Sequence, residues 1–131
     1  MKIYLAGPIN GCTDEECTNW RSEIKFICHP DIKIFDPMDR DYRGMEKNNV
    51  IDIVHGDKTD IHACDAVIAN VNKPSWGTGM EIFWAWTLGI PTHAFIDDKS
   101  NVSPWIEYHC RSISLTSRFA LLKARKEHNN A

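Results

Sequence analysis

The chain has 131 residues and a mass of 15.0 kDa, which fits one domain of ordinary size. Hydrophobic residues make up 43% and charged residues 25%, so the composition predicts a packed core rather than disorder. The formal net charge of −3 argues against a protein that binds the backbone of a nucleic acid, which normally needs a basic face. A small anionic ligand stays open, because backbone N–H groups and one Arg can hold a phosphate in an acidic protein.

The sequence shows no membrane span, signal peptide or metal motif. No apolar run reaches the roughly 18–20 residues that a membrane span needs, and Met1–Ala6 is too short for the apolar region of a signal peptide. The five cysteines form no CxxC pair, which predicts reduced thiols in a cytoplasmic protein. None of the neighbouring Cys and His residues has zinc-site spacing, so we expect no metal and no cofactor.

The chain begins with a predicted strand and helix. Lys2–Ala6 is a short apolar strand that ends at Gly7. Thr13 or Asp14 can cap a helix that runs to about Cys28. Its expected apolar face consists of Trp20, Ile24 and Ile27.

A second strand and helix follow. Ile32–Phe35 is the predicted strand, and the polar loop Asp36–Gly44 comes after it. A helix is predicted from about Lys47 to Cys64. Its expected buried stripe consists of Val50, Ile53, Val54, Ile61 and Cys64. Ala66–Val71 then has apolar residues at successive positions, which is typical of a parallel strand buried on both faces.

The second half of the chain continues the alternation. Gly79–Leu88 predicts an aromatic-rich helix that Gly89 ends. Pro91–Ile96 is a fourth strand, and Ser103 caps a short helix that begins at Pro104. A fifth strand at Ser112–Leu115 and a closing helix at Arg118–Glu127 complete the predicted elements.

Strands separated by helices of this length predict an α/β fold with a mostly parallel, five-stranded sheet covered on both faces. We expect a single domain over residues 1–131, with residues 119–131 forming the C-terminal helix and a loose tail. Ligands of such sheets bind beyond the carboxyl ends of the strands. Four polar loops are expected there: Gly7–Thr13, Asp36–Gly44, Asn72–Gly79 and Asp97–Ser103.

Glu81 is the main candidate for catalysis. The preceding Gly77-Thr78-Gly79 lets the backbone approach a ligand, and Ser75 can offer its hydroxyl to an anion. We expect Glu81 in the first turn of the following helix, directed toward the strand ends. A Glu at such a position often serves only the helix dipole or a capping box, so the residues alone leave both interpretations open.

Three aspartates near the third strand are further candidates for a role at this edge of the sheet. Asp57 can act on a substrate as a general acid or hold a sugar hydroxyl, or it can be a solvated helix charge. For Asp60, the favoured interpretation is a solvated charge on the helix. Asp65 precedes the strand directly, which predicts a bond to the backbone of the turn.

The first loop and the first strand offer further candidates. Gly7–Gly11 can expose backbone N–H groups to a ligand, although it has neither the dinucleotide fingerprint nor a P-loop Lys. The Tyr4 hydroxyl can either reach the ligand crevice or find a partner in the core, and spacing alone favours the core. Asp39–Arg43 is either a mobile charged loop or a surface that contacts a base. The five tryptophans are expected in the core or in a subunit interface.

Three segments together resemble the nucleoside 2-deoxyribosyltransferase superfamily: Tyr4–Ile9, Asp57 with Ala63–Val71, and Pro74–Glu81. The resemblance implies a flavodoxin-like or Rossmann-like three-layer sandwich that assembles at least as a homodimer. It also implies that Glu81 is a nucleophile that attacks C1′ of a nucleoside and displaces the base. Asp57 would then assist the departing base, and Tyr4 would hold the nucleophile in place.

The residue six positions before Glu81 bears on the substrate. Transferases of this superfamily that act on free nucleosides usually have Asp there, whereas the branch that hydrolyses nucleoside 5′-monophosphates has a Pro-Ser pair. This chain has Ser75 after Pro74, and a hydroxyl suits a phosphate dianion better than a carboxylate does. Ile9-Asn10-Gly11 resembles the phosphate-binding turn of the same branch, although an Arg common in that turn is Asn10 here.

The resemblance therefore predicts a set of substrate-binding residues: Gly7, Pro8, Ile9, Asn10, Gly11, Ser75, Gly77, Gly79 and Ser103. Ser103 belongs to the set because the family sends a residue at its place into the active site of the neighbouring subunit.

The expected activity is hydrolysis of the N-glycosidic bond of a ribo- or deoxyribonucleoside 5′-monophosphate through a covalent glycosyl–Glu81 intermediate. The products would be a free base and a sugar 5-phosphate. Base exchange between deoxyribonucleosides is the alternative within the family. A nucleotide-binding sensor without turnover is the alternative from another class. The expected partners are a small nucleotide or nucleoside and a second copy of the chain, with no nucleic-acid polymer and no membrane.

Overall fold

A five-stranded sheet forms the centre of the molecule in the computed structural model, which describes all 131 residues. Its strands are β1 (Lys2–Ala6), β2 (Lys33–Phe35), β3 (Ala66–Asn70), β4 (Thr92–Phe95) and β5 (Ser112–Ser114). The spatial order is β2-β1-β3-β4-β5, and every neighbouring pair is parallel. This order is that of flavodoxin-like folds, so the predicted α/β class is confirmed.

Five helices cover the sheet. They are α1 (Asp14–Ile27), α2 (Val50–His62), α3 (Trp76–Thr87), α4 (Pro104–His109) and α5 (Ser117–Asn129). Short 3₁₀ turns lie at Pro37–Arg40, Glu46–Asn48 and Lys99–Asn101. All of the helices are too short or too polar to cross a membrane.

The residues predicted to begin and end helices do so in the structure. Thr13 caps α1 and forms a capping box with Glu16. Gly89 follows α3 with φ of 73°, a left-handed conformation that glycine adopts without steric cost. Ser103 caps α4, whose first residue is Pro104.

The alternation of side chains along β1 produces two separate cores. Ile3 and Leu5 point to one face and pack with residues of α1 and α5. Tyr4 and Ala6 point to the opposite face, where they pack with residues of α2 and α3. The sheet is therefore the middle of three layers, and Tyr4 faces the two helices that carry the candidate acids.

Several element boundaries differ from the prediction. α3 begins at Trp76 rather than Gly79, because Ser75 provides a cap that the two following glycines do not disrupt. The predicted loop Asp36–Gly44 contains a 3₁₀ turn capped by Asp36. The C-terminal helix extends from Ser117 to Asn129, so the loose tail is limited to the last two residues.

The predicted buried stripe of α2 is correct only for its C-terminal half. Ile61 and Cys64 are buried, but Val50 and Val54 are exposed, at 58% and 44%. The helix packs on the sheet near its C-terminus, and its N-terminal half borders solvent and a cleft to which Ile53 contributes. This arrangement leaves an apolar surface on α2 that nothing in the chain covers.

Candidate active site

A cleft of about 290 Å³ opens at the carboxyl ends of β1, β2 and β3. The strand order reverses between β1 and β3, and such switch points are where open α/β sheets bind ligands. The lining combines the loop after β1, the loop after β2, the start of α3 and part of α2. Its volume lies near the lower end of the range of small-molecule sites, about 300–1,000 Å³.

Three of the four predicted ligand loops meet at this cleft, and the fourth does not. The loop Asp97–Ser103 follows β4, which is separated from the switch point by β3. Asp97, Asp98 and Asn101 instead line a second hollow beside the N-terminal half of α1. This loop lies beyond the carboxyl end of β4, as expected, but at a different part of the sheet edge from the cleft, because the order of strands in space is not visible in the chain.

The start of α3 brings a serine hydroxyl and helical N–H groups to the cleft. The Ser75 hydroxyl oxygen accepts a hydrogen bond from the Thr78 N–H at 3.3 Å, so its own proton is free for another partner. Gly77 also lines the cleft, and the space where its side chain would lie is open. A helix N-terminus with free N–H groups favours anions.

Glu81 lies in the second turn of α3, not in the first turn as expected, because the helix begins three residues earlier than predicted. Its side chain lines the cleft and accepts a hydrogen bond from the hydroxyl of Tyr4. Burial raises the pKa of Glu81 from its ordinary value of 4.5 to about 8, and the nearby charge of Asp57 acts in the same direction. The Tyr4 hydrogen bond and Arg21 oppose this shift.

Tyr4 has both of the positions that the sequence left open. It is fully buried in the core between the sheet and the helices α2 and α3, and its hydroxyl reaches the cleft acid Glu81. Burial raises the pKa of the Tyr4 hydroxyl far above its ordinary value, and the charges of Glu81 and Asp57 add to the rise. The phenol therefore keeps its proton and stays a hydrogen-bond donor.

Asp57 projects from α2 into the same cleft. One Arg40 nitrogen lies 3.1 Å from its carboxylate, and another lies 2.7 Å from that of Asp60. Burial raises the pKa of Asp57, and Arg40 opposes that shift. Asp60 is thus an ion-pair partner rather than the solvated charge that we expected.

Gly56 leaves room for Arg40 against α2. A Cβ at Gly56 would lie 3.1 Å from the Arg40 guanidinium, which is tighter than most such contacts. The glycine thus lets the guanidinium bridge Asp57 and Asp60, one turn of helix apart. Asp65, the third aspartate, accepts a backbone N–H as expected, but the donor is Lys2 at the start of β1, at 2.7 Å, and not the backbone of the adjacent turn.

A buried guanidinium supports the floor of the cleft. Arg21 of α1 is 1% exposed and donates to the carbonyl oxygens of Leu5 at 2.7 Å and Gly7 at 3.1 Å. It also pairs with the buried carboxylate of Asp36 at 3.1 Å, which Lys25 contacts from the other side at 2.7 Å. These contacts join the ends of β1 and β2, and they are not predictable from the sequence because a buried Arg has no distinctive sequence pattern.

Gly7 allows α1 to approach the end of β1. A Cβ there would lie 2.6 Å from the ring of Trp20 and 3.2 Å from the side chain of Asn70. Real Cβ atoms do not approach that closely, so the packing of α1 on β1 requires glycine at this position.

The loop after β2 is anchored over the cleft. The Arg43 guanidinium bonds to Asp41 at 2.7 Å and to Asp14, at the start of α1, at 2.5 Å. Tyr42 lines the cleft beside it. The segment Asp39–Arg43 therefore contributes a polar and aromatic wall opposite the start of α3.

Most of the predicted site residues come together in this geometry. The cleft is bordered by Gly7, Ile9, Asn10, Asp57, Ser75, Gly77 and Glu81, and Tyr4 lies behind Glu81. Four predicted substrate-binding residues do not border the cleft of a single chain: Pro8, Gly11, Gly79 and Ser103. Pro8 faces the second hollow, and the Ser103 oxygen accepts the Trp105 N–H at 3.2 Å. No group of three or more His, Cys, Asp or Glu side chains is arranged to hold a metal ion.

The fold and the cleft define an α/β protein with two acids and a tyrosine at the switch point of a parallel sheet. The model of the nucleoside 2-deoxyribosyltransferase family matches residues 3–127, nearly the whole chain. The chain belongs to this family, whose members are enzymes. A search of curated proteins finds no match.

Solved structures support the fold assignment. A 2-deoxyribosyltransferase from Bacillus psychrosaccharolyticus superposes with a TM-score of 0.71 at 17% identity, over 91% of this chain and 89% of that one. The CMP N-glycosidase of Clostridium botulinum superposes with a TM-score of 0.61 at 20% identity, over 94% and 97%. A 2-deoxyribosyltransferase from Leishmania mexicana superposes with a TM-score of 0.56 at 24% identity, over 82% and 69%.

The raised pKa of Glu81 predicts a pH-dependent effect on stability. Between about pH 4.5 and pH 8 the unfolded chain releases this proton while the folded protein retains it, so the free energy of unfolding falls as pH rises. Glu81→Gln removes the titration and keeps the shape. We expect the stability of this variant, relative to the wild type, to rise between pH 5 and pH 8 in urea unfolding at one protein concentration. The same difference at both pH values would contradict a Glu81 that stays protonated in the folded protein.

Proposed function

We propose that this protein hydrolyses the N-glycosidic bond of a nucleoside 5′-monophosphate, releasing a free base and a sugar 5-phosphate. The observation that carries the proposal is the position of Ser75, which caps α3 at the edge of the cleft that also contains Glu81. The cleft thus joins a site suited to a phosphate with a carboxyl group suited to attack on the sugar. The CMP N-glycosidase of Clostridium botulinum has the same fold.

The proposed phosphate site consists of groups that donate hydrogen bonds. The Ser75 hydroxyl keeps a free proton, and α3 presents its first N–H groups around Gly77. A carboxylate in place of Ser75 would repel a phosphate dianion and would instead suit a neutral sugar hydroxyl. Serine at this position therefore favours the monophosphate over the free nucleoside.

The proposed roles of the acids rest on their shared position in the cleft and on the contact of Glu81 with Tyr4. Glu81, held by Tyr4, attacks C1′ and forms the glycosyl–enzyme, and Asp57 protonates the base as the C1′–N bond breaks. Water then attacks C1′ and Asp57 accepts its proton, which frees Glu81. One carboxyl group that attacks the sugar carbon and a second that first donates and then accepts a proton are the logic of retaining glycosidases.

Base exchange between deoxyribonucleosides is the second candidate. Two of the similar structures carry the name 2-deoxyribosyltransferase, and both activities need the same glycosyl–enzyme. They differ in whether water or a second base attacks C1′. The cytoplasmic location and the single-domain organisation stay predictions.

We also propose that the protein forms a homodimer through an apolar surface on α3 and α4. This surface is formed by Trp76, Met80, Phe83, Trp86, Trp105 and Tyr108, each at least 45% exposed. Four of its aromatic rings surround His109 at centroid distances of 4.9–5.9 Å, which makes a contiguous aromatic patch. The partner that we propose is a second copy of the chain. The family resemblance places Ser103 in the active site of a neighbouring subunit. Ser103 lies outside the cleft of its own chain and caps α4, the helix that carries Trp105.

Base release identifies the substrate class. We expect free base from at least one of the ribo- or deoxyribonucleoside 5′-monophosphates and little from the matching nucleosides, measured by chromatography. Glu81→Ala should abolish release and still fold, because it removes the nucleophile. Base swapping that requires an acceptor base would instead support the transferase. Tight binding of a monophosphate without turnover would support a sensor.

Ser75→Asp tests the phosphate site. Aspartate caps a helix as well as serine does, so the variant keeps α3 and changes only the charge. We expect kcat/KM for monophosphates to fall about ten- to a hundredfold, the size of a lost hydrogen bond to a charged group, with a smaller loss for nucleosides. Ser22→Asp, at an exposed position on α1, is the matched control. Equal losses on both substrate types would argue against phosphate binding at Ser75.

Trp105→Glu tests the homodimer. We expect the wild type to sediment with twice the mass of the 15.0 kDa chain, and the variant to sediment as a monomer, because a charge in an apolar interface is costly. Phe119→Glu introduces the same charge on α5, on the other face of the sheet, and should leave the dimer intact. A monomeric wild type at micromolar concentration would contradict the proposal.

A further inference from the structure

Two cysteines flank the first turn of α1. Thr13 is the N-cap of this helix and forms a capping box with Glu16, with hydrogen bonds of 3.1 Å in both directions. Cys12 immediately precedes the cap, and Cys17 is the fourth residue of the helix. Side chains at these two positions of a capped helix pack against each other as a hydrophobic staple. In this chain both members of the staple are thiols.

Hydrogen bonds to one shared atom show that the two cysteines are neighbours. The carbonyl oxygen of Ile9 accepts the backbone N–H of Cys12 at 3.2 Å and the thiol of Cys17 at 3.5 Å. Gly11, with φ of 74°, allows the tight turn between Ile9 and Cys12. The Cys17 sulfur is therefore bound to the same turn that carries Cys12.

The two thiols differ in their access to solvent. Cys12 is half-buried and borders the second hollow, whereas Cys17 has no exposed surface. Burial raises the pKa of the Cys17 thiol, and the neighbouring Cys12 acts in the same direction. Cys12 is thus the thiol that a dissolved oxidant reaches first, and Cys17 is placed to react with the sulfur of Cys12 afterwards.

We propose that Cys12 and Cys17 form a site of reversible oxidation by low-molecular-weight disulfides, with oxidised glutathione as the probe. The Cys12 thiolate attacks one sulfur of glutathione disulfide, forms a mixed disulfide and releases one glutathione thiolate. The Cys17 thiolate then attacks the Cys12 sulfur and expels the second glutathione thiolate. The two cysteines are oxidised to one disulfide, glutathione disulfide is reduced, and the two glutathione thiolates take up the protons that the cysteines lose.

The hydrogen bond to Ile9 connects this site to the cleft. Ile9 and Asn10, of the same turn, line the cleft that contains Glu81. A Cys17 sulfur in a disulfide has no proton to donate, so the Ile9 carbonyl oxygen loses this partner. Oxidation is therefore expected to change the shape of the turn that borders the substrate and to slow the reaction. This effect on the reaction rests on the proposed function, whereas formation of the disulfide does not.

Peptide mapping tests the disulfide. Trypsin cleaves after Lys2 and Arg21, so both cysteines lie in one peptide, residues 3–21. We expect this peptide to lose the mass of two hydrogen atoms after the native protein is incubated with oxidised glutathione, and to regain it with dithiothreitol. Glutathione that persists on Cys12, or a peptide that does not change, would overturn the proposal.

Two variants separate the roles of the thiols. Cys17→Ser keeps a hydroxyl that can donate to Ile9 but has no sulfur, so we expect glutathione to remain on Cys12. An unmodified Cys12 in this variant would contradict its role as the attacking thiol. Cys28→Ser is the matched control, because it removes a half-buried thiol at the other end of α1 and should form the disulfide as the wild type does.

Base release tests the connection to the cleft. On the monophosphate that the wild type cleaves best, we expect the disulfide form to have a kcat/KM about tenfold below that of the reduced form, the size of one lost hydrogen bond. Dithiothreitol should restore the rate. A mapped disulfide that leaves kcat/KM unchanged would overturn the effect on the cleft. If the reduced protein releases no base from any monophosphate, the proposed function fails instead, and peptide mapping still decides the oxidation site.

Discussion

The buried contacts of Arg21 determine the shape of the cleft. Its guanidinium holds the Leu5 and Gly7 carbonyl oxygens at the end of β1 and the Asp36 carboxylate after β2. A buried charge is tolerable only when it is paired and hydrogen-bonded, and breaking such a pair costs about 3–5 kcal/mol. The loops after β1 and β2 are therefore fixed relative to α1, and the remaining walls of the cleft are built against this frame.

The pleat of β1 determines on which side of the sheet the reactive groups lie. Ile3 and Leu5 anchor the strand to α1 and α5, and Tyr4 between them has to face α2 and α3. Asp57 and Glu81 lie on those two helices, and the Tyr4 hydroxyl contacts Glu81. A shift of β1 by one residue would turn Tyr4 to the other face and separate it from them.

The sequence predicted the elements, the parallel sheet and most of the cleft, because hydrophobic periodicity and capping residues are local signals. Motif resemblance selected Tyr4, Asp57 and Glu81, which the structure brings together. Local signals could not show which strands are neighbours, so they could not separate the loop after β4, which lines a second hollow, from the three loops of the cleft. They also missed Arg21 and the bridge from Arg40 to Asp60, since partners of charged side chains distant in sequence have no local pattern.

The close approach at Gly7 has a consequence for redesign of the substrate range. Because even one carbon at this position would strike Trp20, the floor of the cleft cannot be remodelled by substitution there without moving α1. Gly77 sits at the opposite wall with open space around it, and the helix tolerates a side chain at that point. Altered selectivity is therefore accessible from the α3 side of the cleft, and directed libraries are best concentrated there.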